Sequence, residues 1–183
     1  MKKKITSLIV LIILAISAVA CQENQSKKEV DKAIVETQSQ KIEFDTKTID
    51  KKEISSDVFK DYKLTMVNIW ATYCDPCIEE MPELEKLYQE MKEKNVNIMG
   101  VISDLPDFSD ENVAIEILKT QGVTFSNIIP DESLQTGFLN TIEAVPTTVF
   151  VDSEGNIIGD PIMGSNSKEV YEKEIEKILK TLK

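Results

Sequence analysis

The chain has 183 residues, with 32 acidic against 21 basic side chains, no histidine and no arginine, and a net charge of −11. That length suits one domain with appendages. The acidic excess excludes a nucleic-acid binder, whose affinity rests on basic contacts with phosphate, and equally excludes electrostatic adhesion to anionic lipid.

Attachment to a membrane must therefore come from the first residues. Lys2, Lys3 and Lys4 form a positive start, and Ile5 to Ala20 an apolar run that ends in small residues just before Cys21. The run is short for a transmembrane helix, which needs about 20 residues. Residues 1–20 read as a signal peptide. Ala18-Val19-Ala20-Cys21 resembles a bacterial lipobox, in which Cys21 is lipidated and becomes the mature N-terminus. The same triplet also reads as an ordinary signal-peptidase site, and the whole stretch as an uncleaved anchor. All three readings export the rest of the chain.

Residues 21–41 read as a polar, lipid-anchored tether, because Gln22 to Lys41 lacks aromatic residues, glycine and proline. As a flexible coil it spans roughly 25 Å. The competing reading is a docked helix with Val30, Ile34 and Val35 on one stripe. The domain then occupies residues 42–183.

It opens with a short strand at Ile42–Phe44 and a short helix at Ser56–Tyr62. Leu64 to Ala71 is continuous and mostly apolar, as a strand buried on both faces must be. From Pro76 to about Lys94, Ile78, Met81, Leu84, Leu87, Tyr88 and Met91 recur at helical spacing, and Pro82 predicts a kink. Asn97–Ser103 is the next strand. Ser109 caps a helix running to Gln121 and ended by Gly122, with Ala114, Ile117 and Leu118 facing inward. Phe125–Ile129 reads as a strand and Glu132–Phe138 as a short helix. Thr147–Val151 and Asn156–Ile158 form a hairpin around Asp152–Gly155. Ser167 caps a last helix whose Tyr171, Ile175, Ile178 and Leu182 make an apolar stripe. Alternating strands and helices, closed by a hairpin and a helix, give an α/β three-layer domain.

The chemistry concentrates at Trp70-Ala71-Thr72-Tyr73-Cys74-Asp75-Pro76-Cys77, a strand-to-helix junction. Two thiols at i and i+3 there suit a reversible disulfide. Cys74 lies at the helix start, where unpaired N–H groups and the dipole favour thiolate, so it is the nucleophile. Cys77, one turn inward, is the resolving thiol. Pro76 fits the first turn because its missing N–H would have no partner there. A zinc site needs a second ligand pair, and only Cys21 remains, with no histidine, so no metal and no cofactor is expected. A structural staple is poorly served by a loop this short. Trp70 and Tyr73 wall the site, with core packing as the plainer reading. Asp75 opposes a second negative charge beside it, and no histidine lies between the cysteines; both favour a reductant. Glu79, Glu80, Glu143 and Asp75 are candidates for proton handling, with Glu79 and Glu80 read first as solvated helix charges.

The segment Asn68 to Leu84 resembles the active-site segment of extracytoplasmic, membrane-anchored thioredoxin-like thiol–disulfide reductases, of the TlpA and cytochrome-c-maturation type. Ala144-Val-Pro-Thr-Thr-Val-Phe-Val-Asp152 resembles the same family's segment around a cis-proline. Tyr73 stands where that family usually has Trp, Ile78 where a basic residue is common, and Asn68 where cytoplasmic thioredoxins carry a buried carboxylate. The resemblance implies a thioredoxin-like fold with a central mixed sheet and helices on both faces. It also implies a cis Val145–Pro146 bond that sets the Val145 backbone against Cys74, as an edge for an extended substrate. The implied partners are a membrane electron-donor protein and disulfide-bearing exported proteins, such as apocytochrome c or a methionine sulfoxide reductase. A peroxiredoxin needs a Thr-x-x-Cys and an activating arginine, which this chain lacks. A disulfide oxidase or isomerase, or a non-catalytic binding lipoprotein, are the remaining alternatives.

Overall fold

The computed structural model describes residues 40–107 and 109–182. The residues read as a signal peptide, Cys21, and nearly all of the stretch read as a tether lie outside them. Leu64–Trp70 is the central strand, β3, because every one of its residues is buried. It pairs in parallel with β4 (Val96–Ile102) and antiparallel with β6 (Thr147–Val151). With β1 (Asp45–Thr48), β2 (Glu53–Ser55), β5 (Asn127–Ile129) and β7 (Ile157–Met163) these strands form one mixed sheet in the order β2-β1-β5-β4-β3-β6-β7.

Alternate β3 residues serve opposite faces, as strand geometry requires. Leu64 and Met66 pack with Leu84, Leu87 and Met91 of α1 (Asp75–Met91) and with Tyr171, Ile175 and Ile178 of α4 (Lys168–Leu179). Val67 and Ile69 pack with Phe59 of the 3₁₀ turn Ser56–Asp61 and with Leu134 of α3 (Glu132–Thr136). A third cluster, at the end of the sheet where β3 hands over to α1, joins Trp70, Ala71, Cys74 and Cys77 to Ala114 and Leu118 of α2 (Glu111–Thr120). Helical layers thus cover both faces, giving the expected three-layer α/β arrangement.

Several boundaries differ from the sequence reading. Ile42 and Phe44 are core residues, but the first strand starts at Asp45, and β2 makes a hairpin with it that the sequence reading lacks. Gln40 and Lys41, assigned to the tether, belong to the domain: Ile157 N–H donates to Gln40 O at 2.9 Å, and Lys41 bridges Asn156. α1 ends at Met91, short of the expected Lys94, with Pro82 inside it. The cap of α2 is Asp110, whose carboxylate accepts from Asn112 N–H at 2.8 Å, and not Ser109.

The centre of the sheet has no spare volume. A Cβ built on Gly100 in β4 would lie 1.9 Å from Asn127 Oδ1 and 3.1 Å from Trp70 Nε1. Asn127 Oδ1 accepts from Trp70 Nε1 at 2.8 Å, so the missing side chain is what leaves room for this bond. Gly100→Ala is expected to destabilise the protein by about 1–3 kcal/mol through overpacking. Urea unfolding followed by fluorescence checks it, with the single tryptophan as reporter; an unchanged midpoint would mean the Trp70–Asn127 pair yields at little cost.

Candidate active site

β3 ends by delivering Trp70 into the third core cluster, and the chain turns at once. Cys74 N–H donates to Ala71 O at 3.1 Å, closing the turn, and Ile78 N–H donates to Cys74 O at 3.1 Å, starting α1. Cys74 is the N-cap, with Pro76 in the first turn. Cys74 and Cys77 form a disulfide, with the sulfurs 2.02 Å apart. The Cys77 backbone N–H donates to Cys74 Sγ at 3.3 Å, so the sulfur already faces the unpaired amides of the helix start. The two thiols differ in surroundings: Cys74 keeps 7% of its surface and Cys77 none.

The other expected residues divide. Trp70 is 1% exposed and held by Asn127, so it is core and site wall together, whereas Tyr73 is 75% exposed and stands on the rim. Asp75 and Pro76 lie at the exposed start of α1. The Val145–Pro146 bond is cis. Val145 and Tyr73 line one cavity of about 190 Å³ with Ser103, Leu139, Ile142, Glu143 and Ala144, which brings the two motifs to a common rim. Glu79 and Glu143 are not buried. Among the described residues no cluster of His, Cys, Asp and Glu side chains could hold a metal ion, and no helix is long and apolar enough to cross a membrane.

Glu80 overturns its sequence reading. It is 3% exposed, not solvated. Its Oε1 accepts from Asn68 Nδ2 at 3.0 Å, and its Oε2 from Tyr171 OH at 2.8 Å and from Asn166 N–H at 3.1 Å. Asn68 Nδ2 also donates to Thr148 Oγ1 at 3.1 Å. Gly164 N–H, two residues before Asn166, donates to Pro146 O at 2.8 Å. One carboxylate therefore ties β3, α1 and the start of α4 together, with β6 one bond further on. Burial pushes the Glu80 carboxyl above its usual range, and the bonds from Tyr171, Asn166 and Asn68 pull it back only in part. The Tyr171 hydroxyl is pushed up as well, first by burial and then by the Glu80 charge.

A thioredoxin-like α/β fold that carries a C-x-x-C disulfide at the start of a helix defines the class. The chain belongs to the AhpC/TSA family, whose model matches residues 37–159. It is 26% identical to the thioredoxin-like protein YneN of Bacillus subtilis over 96% of this chain and 98% of that protein. It is 34% identical to the thiol-disulfide oxidoreductase ResA of Halalkalibacterium halodurans over 52% of each, so the chain spans about half the length of that relative. Among solved structures it resembles a thiol:disulfide interchange protein of Chlorobium tepidum, with a TM-score of 0.65 and 24% identity over 76% of this chain and 94% of the other. StoA from Bacillus subtilis is similar at a TM-score of 0.59 and 20% identity, over 74% and 97%. These two likenesses are likenesses of fold.

Glu80 carries a prediction. Its folded carboxyl holds a proton to higher pH than the unfolded one, so the folded state binds more protons across that interval. Stability must then fall as pH rises from the ordinary carboxylate range through the raised value. Glu80→Gln is expected to lack that slope, as read from urea unfolding of the oxidised protein between about pH 4 and pH 8. Parallel slopes for the two proteins would show that Glu80 keeps the same proton on folding.

Proposed function

We propose that the protein is a thiol–disulfide oxidoreductase that reduces disulfides in exported proteins, working outside the cytoplasm on a lipid tether at Cys21. The observation that carries the reading is the Cys74–Cys77 disulfide, with its first sulfur at the N-cap of α1 and its second sealed in the core. YneN and ResA, by their names, support the chemistry.

In the reduced protein the Cys74 thiolate attacks one sulfur of a partner's disulfide. The Cys74–partner bond forms as the partner's S–S bond breaks, and the departing thiolate takes a proton from water. Cys77 then loses its proton. Glu80 is assigned as the acceptor: it is the buried carboxylate one turn further along α1, three residues on and so on the same face. Burial raises its affinity for that proton. The Cys77 thiolate attacks Cys74 Sγ, closing the disulfide and expelling the second partner sulfur as a thiolate, which takes a proton from water. Two electrons have passed to the partner, and a membrane electron-donor protein returns them. Tyr73 and the Val145 backbone offer the partner chain its contacts, the latter as an added-strand edge.

Asp75 and the absence of histidine support the reducing direction, with oxidase or isomerase as the alternative that one measurement separates. Strong reductants of this fold lie near about −270 mV and strong oxidants near about −120 mV. Equilibration of the Cys74–Cys77 couple with glutathione is expected to fall nearer the first value, and a result near the second would make the protein an oxidase. Cys77→Ser is expected to trap a mixed disulfide with substrate, seen by mass spectrometry, and Cys74→Ser is not. Adducts formed only through Cys77 would reverse the roles. Cys21→Ser is expected to move the protein out of the membrane fraction; retention there would favour the uncleaved anchor.

A further inference from the structure

A second buried carboxylate flanks the dithiol and has no part in that exchange. Asp104, just beyond β4, is 4% exposed. Its Oδ1 and Oδ2 lie 3.2 and 3.1 Å from the Thr72 backbone N–H, and Oδ2 also accepts from the Thr72 hydroxyl. Thr72 Oγ1 lies 2.8 Å from Ser109 Oγ. A carboxylate bound in this way only accepts, so the single Thr72 hydroxyl proton goes to Asp104, and Ser109 must be the donor to Thr72. The chain of bonds therefore runs one way, from Ser109 through Thr72 to Asp104.

The same β4–α2 loop holds the end of β3. Ser103 N–H and Oγ donate to Trp70 O at 2.8 and 2.9 Å. The backbone from Trp70 to Thr72 is thus gripped from one side, immediately before the turn that delivers Cys74. Beyond Thr72 only Tyr73 separates the grip from Cys74, and Tyr73 stands out on the rim. Ser103 lines the cavity that Tyr73 shares with Val145, so the loop that fastens the turn also forms part of the rim.

We propose that Asp104 is a positioning residue for the dithiol: acting through Thr72, its buried carboxylate holds the turn that presents Cys74 to a partner's disulfide. The inference rests on reading Cys74 and Cys77 as a thiol–disulfide couple. Two physical points give it weight. A buried acceptor that loses its donors goes unsatisfied, so the contacts from Thr72 to Asp104 are costly to break. A reacting atom displaced by about 1 Å costs on the order of a hundredfold in rate, so a loosened turn should show in turnover well before it shows in folding.

The test is the rate at which the reduced full-length protein opens the disulfides of insulin, with kcat and KM read separately. Asp104→Asn and Thr72→Val are each expected to lower kcat roughly tenfold, as misplacement predicts. KM should stay within about twofold, because neither side chain is placed to touch the partner. The double variant should be no slower than Asp104→Asn alone, since both changes break one lock. Thr72→Ser keeps the hydroxyl and should recover most of the loss. Thr72→Val at the wild-type rate, or losses that multiply in the double variant, overturn the proposal. If Asp104→Asn fails to fold, Thr72→Val against Thr72→Ser decides it. A wild-type protein that opens no disulfide overturns the functional reading, and this inference with it.

Discussion

Glu80 is a carboxylate taken out of water at the centre of the fold, and the surrounding elements are arranged to receive it. A buried charge without partners is among the costliest defects a small domain can carry. Here each oxygen is met by at least one donor: Asn68 from β3 on one, and Tyr171 and the Asn166 backbone, from α4 and the loop before it, on the other. The last helix docks where it does partly because Tyr171 must reach that oxygen, and Tyr171, Ile175 and Ile178 then complete the apolar packing over Leu84 and Leu87. Removing the carboxylate would take an acceptor from Asn68, Tyr171 and the Asn166 backbone at once, and a polar group left unsatisfied in a buried site costs more than its bond contributes. Glu80 is thus a structural hub, and the same contacts would have to accommodate the proton-accepting role proposed for it.

Much of this was legible in the sequence. β3 declared itself by an unbroken apolar run, and α1 by its stripe and by the proline in its first turn, because burial on two faces and burial on one face leave different periods. β2 and the true start of β1 did not, since Asp45-Thr46-Lys47-Thr48 and Glu53-Ile54-Ser55 are polar edge segments whose pairing is set by neighbours distant in the chain. Ser109 and Asp110 are both good caps side by side, and local sequence cannot say which one the helix uses. In the fold, the Ser109 hydroxyl instead meets Thr72, 37 residues away in the chain.

Glu80 was missed for a different reason, and there the signal was present. A glutamate next to another glutamate on an amphipathic helix reads as solvated. At about 100° per residue, however, Glu80 falls inside the arc that runs from Cys77 through Met81 and Leu84 to Leu87, whereas Glu79 falls opposite. A charge within an apolar stripe is the informative exception, because burial rules run only one way. Asn68 pointed to the same place. A polar side chain in the middle of a strand buried on both faces must find a partner, and the next helix along the chain is the nearest element able to supply one.

The redox loop therefore lies between two buried carboxylates of unlike character. Glu80 sits on the inner face of α1, among donors from β3, α4 and the loop before it, and burial raises its proton affinity above the usual carboxylate range. Asp104 sits on the outer flank, and its side chain is bound to Thr72, a residue that precedes the thiols. A group that holds a turn gains from accepting from every donor it meets, as Asp104 does from the Thr72 N–H and hydroxyl. The two cysteines are separated by only two residues, yet the fold gives Cys74 the helix start and a turn held through Thr72, and gives Cys77 a closed core. Their different chemistry comes from where each sulfur is held, and not from any difference between the thiols themselves.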